Sequence, residues 1–288
     1  MDSTTVIQAI MQGLMLGAIY GLIGLGITMV FSVTGLMNFA HGDFMAIAMY
    51  LCLGLFTRFQ IDPYLSMFLA IPLLFVMGLL VYHFLFRRMI DAEILMVIQM
   101  TLGMVFIIES TLLILFTADY ANVPNLAHGT RFTMGPFVIT GSYLVTFLVG
   151  SAVGGALYWM LQYTDLGRQI RAIAQNREAA KLMGIKTARV QMIVFALGIA
   201  LLGLSGSLTT SIITLQPYMG LDFTLFAFIV FVMGGVGNFL GTLVAGFVLG
   251  VAEALGALFI GGHLGGLVPY GLFVLILLFR PQGIMGAR

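Results

Sequence analysis

DLGRQIRAIAQNREAAKLMGIKTAR, Asp165 to Arg189, is the stretch whose reading decides the fold. It holds six of the chain's twelve lysines and arginines: Arg168, Arg171, Arg177, Lys181, Lys186 and Arg189. Long apolar runs flank it on both sides. Chains that span a bilayer keep lysine and arginine on their cytoplasmic loops, so the stretch reads as a cytoplasmic loop. It also reads as a helix: Asp165 is placed to cap its start, Ile170, Ile173, Ala174 and Met183 recur near helical spacing, and Gly184 is placed to stop it. A short basic helix between two spans suits the docking of a cytoplasmic partner; otherwise it is a solvated charged loop that only sets orientation.

Composition agrees. The chain is 61% hydrophobic and 8% charged, with mean hydropathy +1.11. Soluble domains carry about 25% charged residues, and no water-soluble fold hides this much apolar surface. An all-α, polytopic transmembrane bundle is therefore expected, a single domain over residues 1–288 with its loop at 165–189. The lone cysteine, Cys52, excludes an internal disulfide and a thiolate metal site. The 36 glycines predict close packing and bent helices. Met1 to Thr5 has no basic n-region and the apolar run from Val6 is long, so no cleavable signal peptide is expected.

Val6 to Phe31 can span, with Gly13, Gly17, Gly21, Gly24 and Gly26 placing small residues on one face for packing or, alternatively, ligand contact. In Ser32 to Phe44, Gly35, Asn38, His41, Gly42 and Asp43 interrupt the apolar pattern with almost no loop. That reads either as a discontinuous helix lining a cavity or as an interfacial turn capped by Asn38 or Asp43. Tyr64 to Phe86 is the third span and Ile94 to Phe116 the fourth. Glu109 inside the fourth is an intramembrane carboxylate, a functional candidate unless it snorkels to the interface. Thr117 to Gly135, polar and containing His128, reads as an external loop, and Pro136 to Tyr163 as the fifth span. In the sixth, Val190 to Leu215, the hydroxyls of Ser205, Ser207, Thr209 and Thr210 line a polar path or bond back to their own helix. Phe223 to Met233 is about half a span and runs into Gly234-Gly235-Val236-Gly237-Asn238, a second candidate for a broken helix; Phe239 to Ile260 follows, with Glu253 as a second carboxylate in an apolar run. Two interrupted segments in opposite halves point to a transport site near the midplane.

Ten of the twelve basic residues (the six above with Arg87, Arg88, Arg280 and Arg288) fall on one face, which is then cytoplasmic; Arg58 and Arg131 oppose them. Counting spans puts the N-terminus outside, the C-terminus inside, and eight or nine crossings in all, with broken or re-entrant helices. No phosphate-binding loop is present, so the chain is not expected to hydrolyse ATP, and no metal motif or bound cofactor is expected. A transporter driven by a partner and an ion-coupled secondary carrier remain; in a carrier, Glu109 and Glu253 would serve as coupling groups and the basic helix would have no purpose.

Arg171-Ala-Ile-Ala-Gln-Asn-Arg-Glu-Ala-Ala-Lys-Leu-Met-Gly184 resembles the EAA-type loop of bacterial ABC importer permeases, with Glu178, Ala179, Ala180 and Gly184 at the matching positions. The Gly35–Asp43 break, Gly234–Asn238 and the Arg280-Pro-Gln-Gly tail extend the likeness to the branched-chain amino acid permease family of the LivH type. That resemblance implies an inner-membrane permease working with a homologous second permease, two cytoplasmic subunits that bind ATP and magnesium, and a periplasmic or lipid-anchored substrate-binding protein. Arg171, Arg177, Glu178, Ala179, Ala180 and Gly184 would contact the ATPase, the alanines letting the helix sit deep in a groove. Asn38, His41, Asp43, Glu109, Gly234, Gly235, Gly237, Asn238 and Glu253 would lie at or near the translocation path. The substrate would be a branched-chain or related amino acid, or alternatively urea or a short amide.

Overall fold

A computed structural model describes residues 3–127, 130–134 and 137–286. His128 and Arg288, read above as a loop residue and as part of the basic face, lie outside the described residues. In chain order the helices are α1 (Ser3–Thr34), α2 (His41–Phe59), α3 (Pro63–Met89), α4 (Ile94–Phe116), α5 (Gly141–Tyr163), α6 (Asp165–Gln175), α7 (Arg177–Leu182), α8 (Thr187–Thr210), α9 (Met219–Gly234), α10 (Phe239–Ile260) and α11 (Val268–Phe279). A helical turn, Gly262–Gly265, precedes α11. Seven of the helices are long and apolar enough to cross a membrane, and α9 and α11 are shorter apolar helices. The loop before α5 also contains a two-stranded antiparallel hairpin, Arg131–Met134 with Phe137–Thr140, which the all-α expectation did not include.

Local chemistry sets the boundaries. Asp62 caps α3 by accepting from the Tyr64 N–H at 2.8 Å, with Pro63 in the first turn. Near its far end α3 loosens into a π-helical stretch, Tyr82–Phe86. The basic stretch, expected as one helix, is two. Asn176 leaves helical geometry and caps α7 by accepting from the Ala179 N–H at 2.9 Å, while Thr164 rather than Asp165 caps α6. Gly184, at φ +85°, ends α7 as expected.

The contacts sort the helix ends into two sets. At one end Arg177 pairs with Asp91, Gln191 donates to the Val33 carbonyl and accepts from the Tyr82 hydroxyl, and Asn238 donates to the Met285 carbonyl. This end carries α6, α7, Arg87 and Arg88. At the opposite end Gln8 donates to the Val138 carbonyl of the hairpin, and Asn125 donates to the Ser211 carbonyl. The start of α1 and the basic loop are thus at opposite ends of the bundle.

α1 and α8 form the centre, buried along most of their length, while α3, α4 and α5 turn apolar faces outward, as helices do against lipid. The glycine face of α1 serves packing. A Cβ at Gly17 would lie 2.7 Å from the Phe247 Cα, so α1 and α10 approach backbone to backbone. Thr28 and Thr242 hydrogen-bond at 3.0 Å across that contact. Of the alternatives for the hydroxyls of α8, the back-bonded one holds: Ser205, Ser207, Thr209 and Thr210 each donate to the carbonyl four residues earlier.

Candidate functional site

Two regions depart from plain helix packing: the break before α2 and the exposed tip of the basic end.

After α1 ends at Thr34, residues 35–40 turn back into the bundle without regular structure. His41, the first residue of α2, reaches the carbonyl of Ile23 through Nε2 at 3.1 Å. Ile23 lies eleven residues before Thr34 along α1, about 16 Å at 1.5 Å per residue. α2 therefore begins deep in the bundle, and the discontinuous reading of the break holds over the interfacial turn. Because a carbonyl only accepts, Nε2 carries the proton and Nδ1 is a bare acceptor.

Gly42 crosses Gly220 at the start of α9; its N–H donates to the Thr224 hydroxyl at 2.8 Å, and that hydroxyl is also 3.1 Å from the Phe39 carbonyl. Gly220 is fourteen residues from the end of α9 at Gly234, about 21 Å. α9 thus also starts inside the bundle, after the irregular segment 211–218, whose Leu215 is buried and pairs with Ala121. Two helices entered from opposite ends begin against each other, both with their positive ends inward.

This corrects the second predicted break. Gly234, Gly235, Gly237 and Asn238 do not interrupt a span at depth; they form the turn between α9 and α10 at the basic end, with Val236 61% exposed. Asn238 caps α10 through the Gly241 N–H, and Ile284 and Met285 of the tail bond to the Met233 and Gly234 carbonyls. The second helix start at depth is instead that of α9 at Met219–Gly220, which the chain reaches from the outer end through 211–218. Gln216-Pro217 before an apolar helix too short to span was the available signal.

Around the α2 break the polar atoms are under-used. Asn38, His41 and Asp43 are fully buried, yet Asn38 Nδ2, His41 Nδ1 and both Asp43 carboxylate oxygens have no hydrogen-bond partner. The Tyr50 hydroxyl, farther along α2, is the same. Buried polar groups are normally paired, so such a concentration marks a place where something else binds or passes. Glu109 of α4 is part-exposed and lies at the depth of Asp43, since each is seven residues before the Tyr50–Phe116 contact of α2 with α4, 5.0 Å between ring centroids. Glu253 differs: it accepts from the Tyr20 hydroxyl at 2.6 Å, and that ring stacks on Phe226. Glu253 is held as part of the packing of α1 on α10.

At the basic end the predicted contact residues divide. Arg171 is spent on the C-terminal carbonyls of α5, Leu161 and Gln162, and Arg177 on Asp91. Ala180, predicted to enter a partner's groove, is buried within the chain against Ile170, Ile173 and Val190, because the short α7 turns that side onto the bundle. What α7 presents outward is Glu178, Ala179, Leu182 and Met183, the last two 89% and 84% exposed. Leu182 and Met183 were missed by the sequence reading. A groove of about 370 Å³, lined by Ser32, Thr34, Arg171, Arg177 and Gly237 among others, opens at this end between the end of α1, α6 and the turn after α9.

A profile of the family described as "Branched-chain amino acid transport system / permease component" matches residues 9–277. The chain is 27% identical to the high-affinity branched-chain amino acid transport system permease protein LivH of Salmonella typhimurium, over 97% of this chain and 95% of that one. It is 29% identical, with the same coverage, to the permease protein BraD of Pseudomonas aeruginosa. The ribose import permease protein RbsC of Haemophilus influenzae is 25% identical over 81% of this chain and 72% of its own. No solved structure matches the chain. With seven helices long and apolar enough to cross a membrane and a family profile that matches nearly its whole length, the chain belongs to the permease-component family of branched-chain amino acid transport systems.

Proposed function

We propose that this chain is the membrane permease of a binding-protein-dependent importer for branched-chain or related amino acids. It works with a homologous second permease, two ATPase subunits and a substrate-binding protein. The observation that carries the reading is α7, which holds Leu182 and Met183 almost fully in solvent on a folded, capped helix at the basic end. Large apolar side chains so displayed outside the bilayer mark a protein-docking site. The distribution of lysine and arginine supports a cytoplasmic basic end, with the start of α1 outside and the tail after α11 inside. ATP binding by the docked subunits biases the pair of permeases between outward- and inward-open states through differential contacts at α7. The path passes the facing starts of α2 and α9, where Asn38 Nδ2 and the helix dipoles receive the substrate carboxylate.

A second reading, an ion-coupled carrier, is favoured by one observation, the buried and unpartnered carboxylate of Asp43 with Glu109 at the same depth of the bundle. The two separate in one purification. A tagged chain drawn from its native membranes should bring with it a subunit bearing a phosphate-binding loop. Recovery of the chain alone, able to accumulate leucine under an ion gradient, would support the carrier.

A further inference from the structure

Asp43 and Glu109 have no counter-charge. Asp43, on the first turn of α2, is 0% exposed with neither carboxylate oxygen partnered, and Glu109 on α4 makes no hydrogen bond or ion pair among the described residues. The three ion pairs of the described residues all lie at the basic end. An unpaired carboxylate at membrane depth is costly unless a cation or water meets it. Glu253 shows how this chain settles a carboxylate meant for structure, with a tyrosine hydroxyl at 2.6 Å. Two further atoms mark the same place as unfinished: Asn38 Nδ2 in the break and the Tyr50 hydroxyl two helical turns beyond Asp43, both buried and unpartnered.

The charge calls for a cation. No group of three His, Cys, Asp or Glu among the described residues is placed to hold a metal ion. A pair of carboxylates with neutral donors and acceptors around them suits a primary ammonium, which needs only a few oxygen acceptors and one compensating charge. We infer that Asp43 and Glu109, each two helical turns before the Tyr50–Phe116 ring contact of α2 with α4 (centroids 5.0 Å apart) and so on one side of that packing at one depth, form the subsite for the ammonium group of a zwitterionic substrate crossing the break. This rests on the importer reading. It divides the substrate's ends: ammonium to Asp43 and Glu109, carboxylate to Asn38 and the helix starts.

The test uses the whole complex in proteoliposomes with binding protein and radiolabelled leucine. Glu109→Gln and Asp43→Asn should each lower the maximal uptake rate by about tenfold or more, and raise the ATP hydrolysed per leucine accumulated. Glu109→Asp should recover part of the rate. Replacing external sodium and potassium with choline should leave wild-type uptake unchanged; dependence on either ion would assign the carboxylates to an inorganic cation and overturn the inference. A second readout is independent of turnover. Glu109→Cys, with buried Cys52 as the unreactive background, should be modified from water by a cationic methanethiosulfonate, and leucine under turnover should slow that reaction. A cysteine that water-borne reagent does not reach, or uptake by both neutral variants within twofold of wild type, would sink the assignment. Absence of ATP-driven leucine uptake by the wild-type complex would instead remove the importer reading itself.

Discussion

Leu182→Asp combined with Met183→Asp should abolish ATP-driven uptake while leaving the permease folded and in the membrane. Both side chains already sit in solvent, at 89% and 84% exposure, so the folded chain loses no packing when they become charged. Their burial against a partner is worth about 1.5–3 kcal/mol each. Losing both, and desolvating two carboxylates at the same interface, should weaken docking by at least about a hundredfold. The permease should keep its thermal midpoint in detergent and fail to co-purify with the ATPase subunits. Ala180→Arg provides the contrast. Ala180 is 4% exposed and packed on Ile170, Ile173 and Val190, so a charge there should lower the midpoint as well as uptake. If Ala180→Arg leaves stability unchanged and Leu182→Asp with Met183→Asp leaves transport unchanged, α7 docks through its other face and this placement is wrong.

Gly42→Val should have the second largest effect, for a different reason. A Cβ on Gly42 would overlap the Gly220 carbonyl and lie 2.6 Å from the Thr224 backbone nitrogen. Those neighbours are backbone, which cannot swing aside as a long side chain does. The start of α2 would be pushed off the start of α9, breaking the Gly42–Thr224 hydrogen bond of 2.8 Å. Overpacking of this kind costs about 1–3 kcal/mol, and the crossing itself is the proposed path. Uptake should be lost, with a lowered thermal midpoint in detergent. Gly155→Val on α5, where a Cβ would meet nothing within 4 Å, should leave both near wild type. Wild-type transport in Gly42→Val would show that the α2–α9 crossing is not part of the route.

These two sites differ in how far the sequence disclosed them. The spans were legible because apolar runs bounded by arginine carry a strong signal, and the break at Gly35–Asp43 was legible because five non-apolar residues interrupt one run. Depth was not legible. Glycines between two apolar runs look alike whether the chain breaks in mid-bundle or turns at its end, so Gly234–Asn238 was read as the former and is the latter. The true partner of the first break, the start of α9 at Met219 and Gly220, follows Gln216-Pro217, a pair that marks a turn but not how deep the chain returns. At the basic end, polarity misled. A docking helix reverses the usual rule, keeping Ala180 inward and large Leu182 and Met183 outward for a partner the chain lacks. The arginines there, read as partner contacts, cap α5 and pair with Asp91 instead.

The central claim is coupled import, and accumulation of radiolabelled leucine tests it most directly. The purified complex is placed in proteoliposomes with ATP on the side of α7 and binding protein on the side of the hairpin. Leucine should accumulate against its gradient, and only with both ATP and binding protein present. Binding-protein-stimulated ATP hydrolysis without leucine uptake would keep the importer and discard the substrate class. Leucine uptake by this chain alone, driven by an ion gradient and indifferent to ATP, would contradict the account.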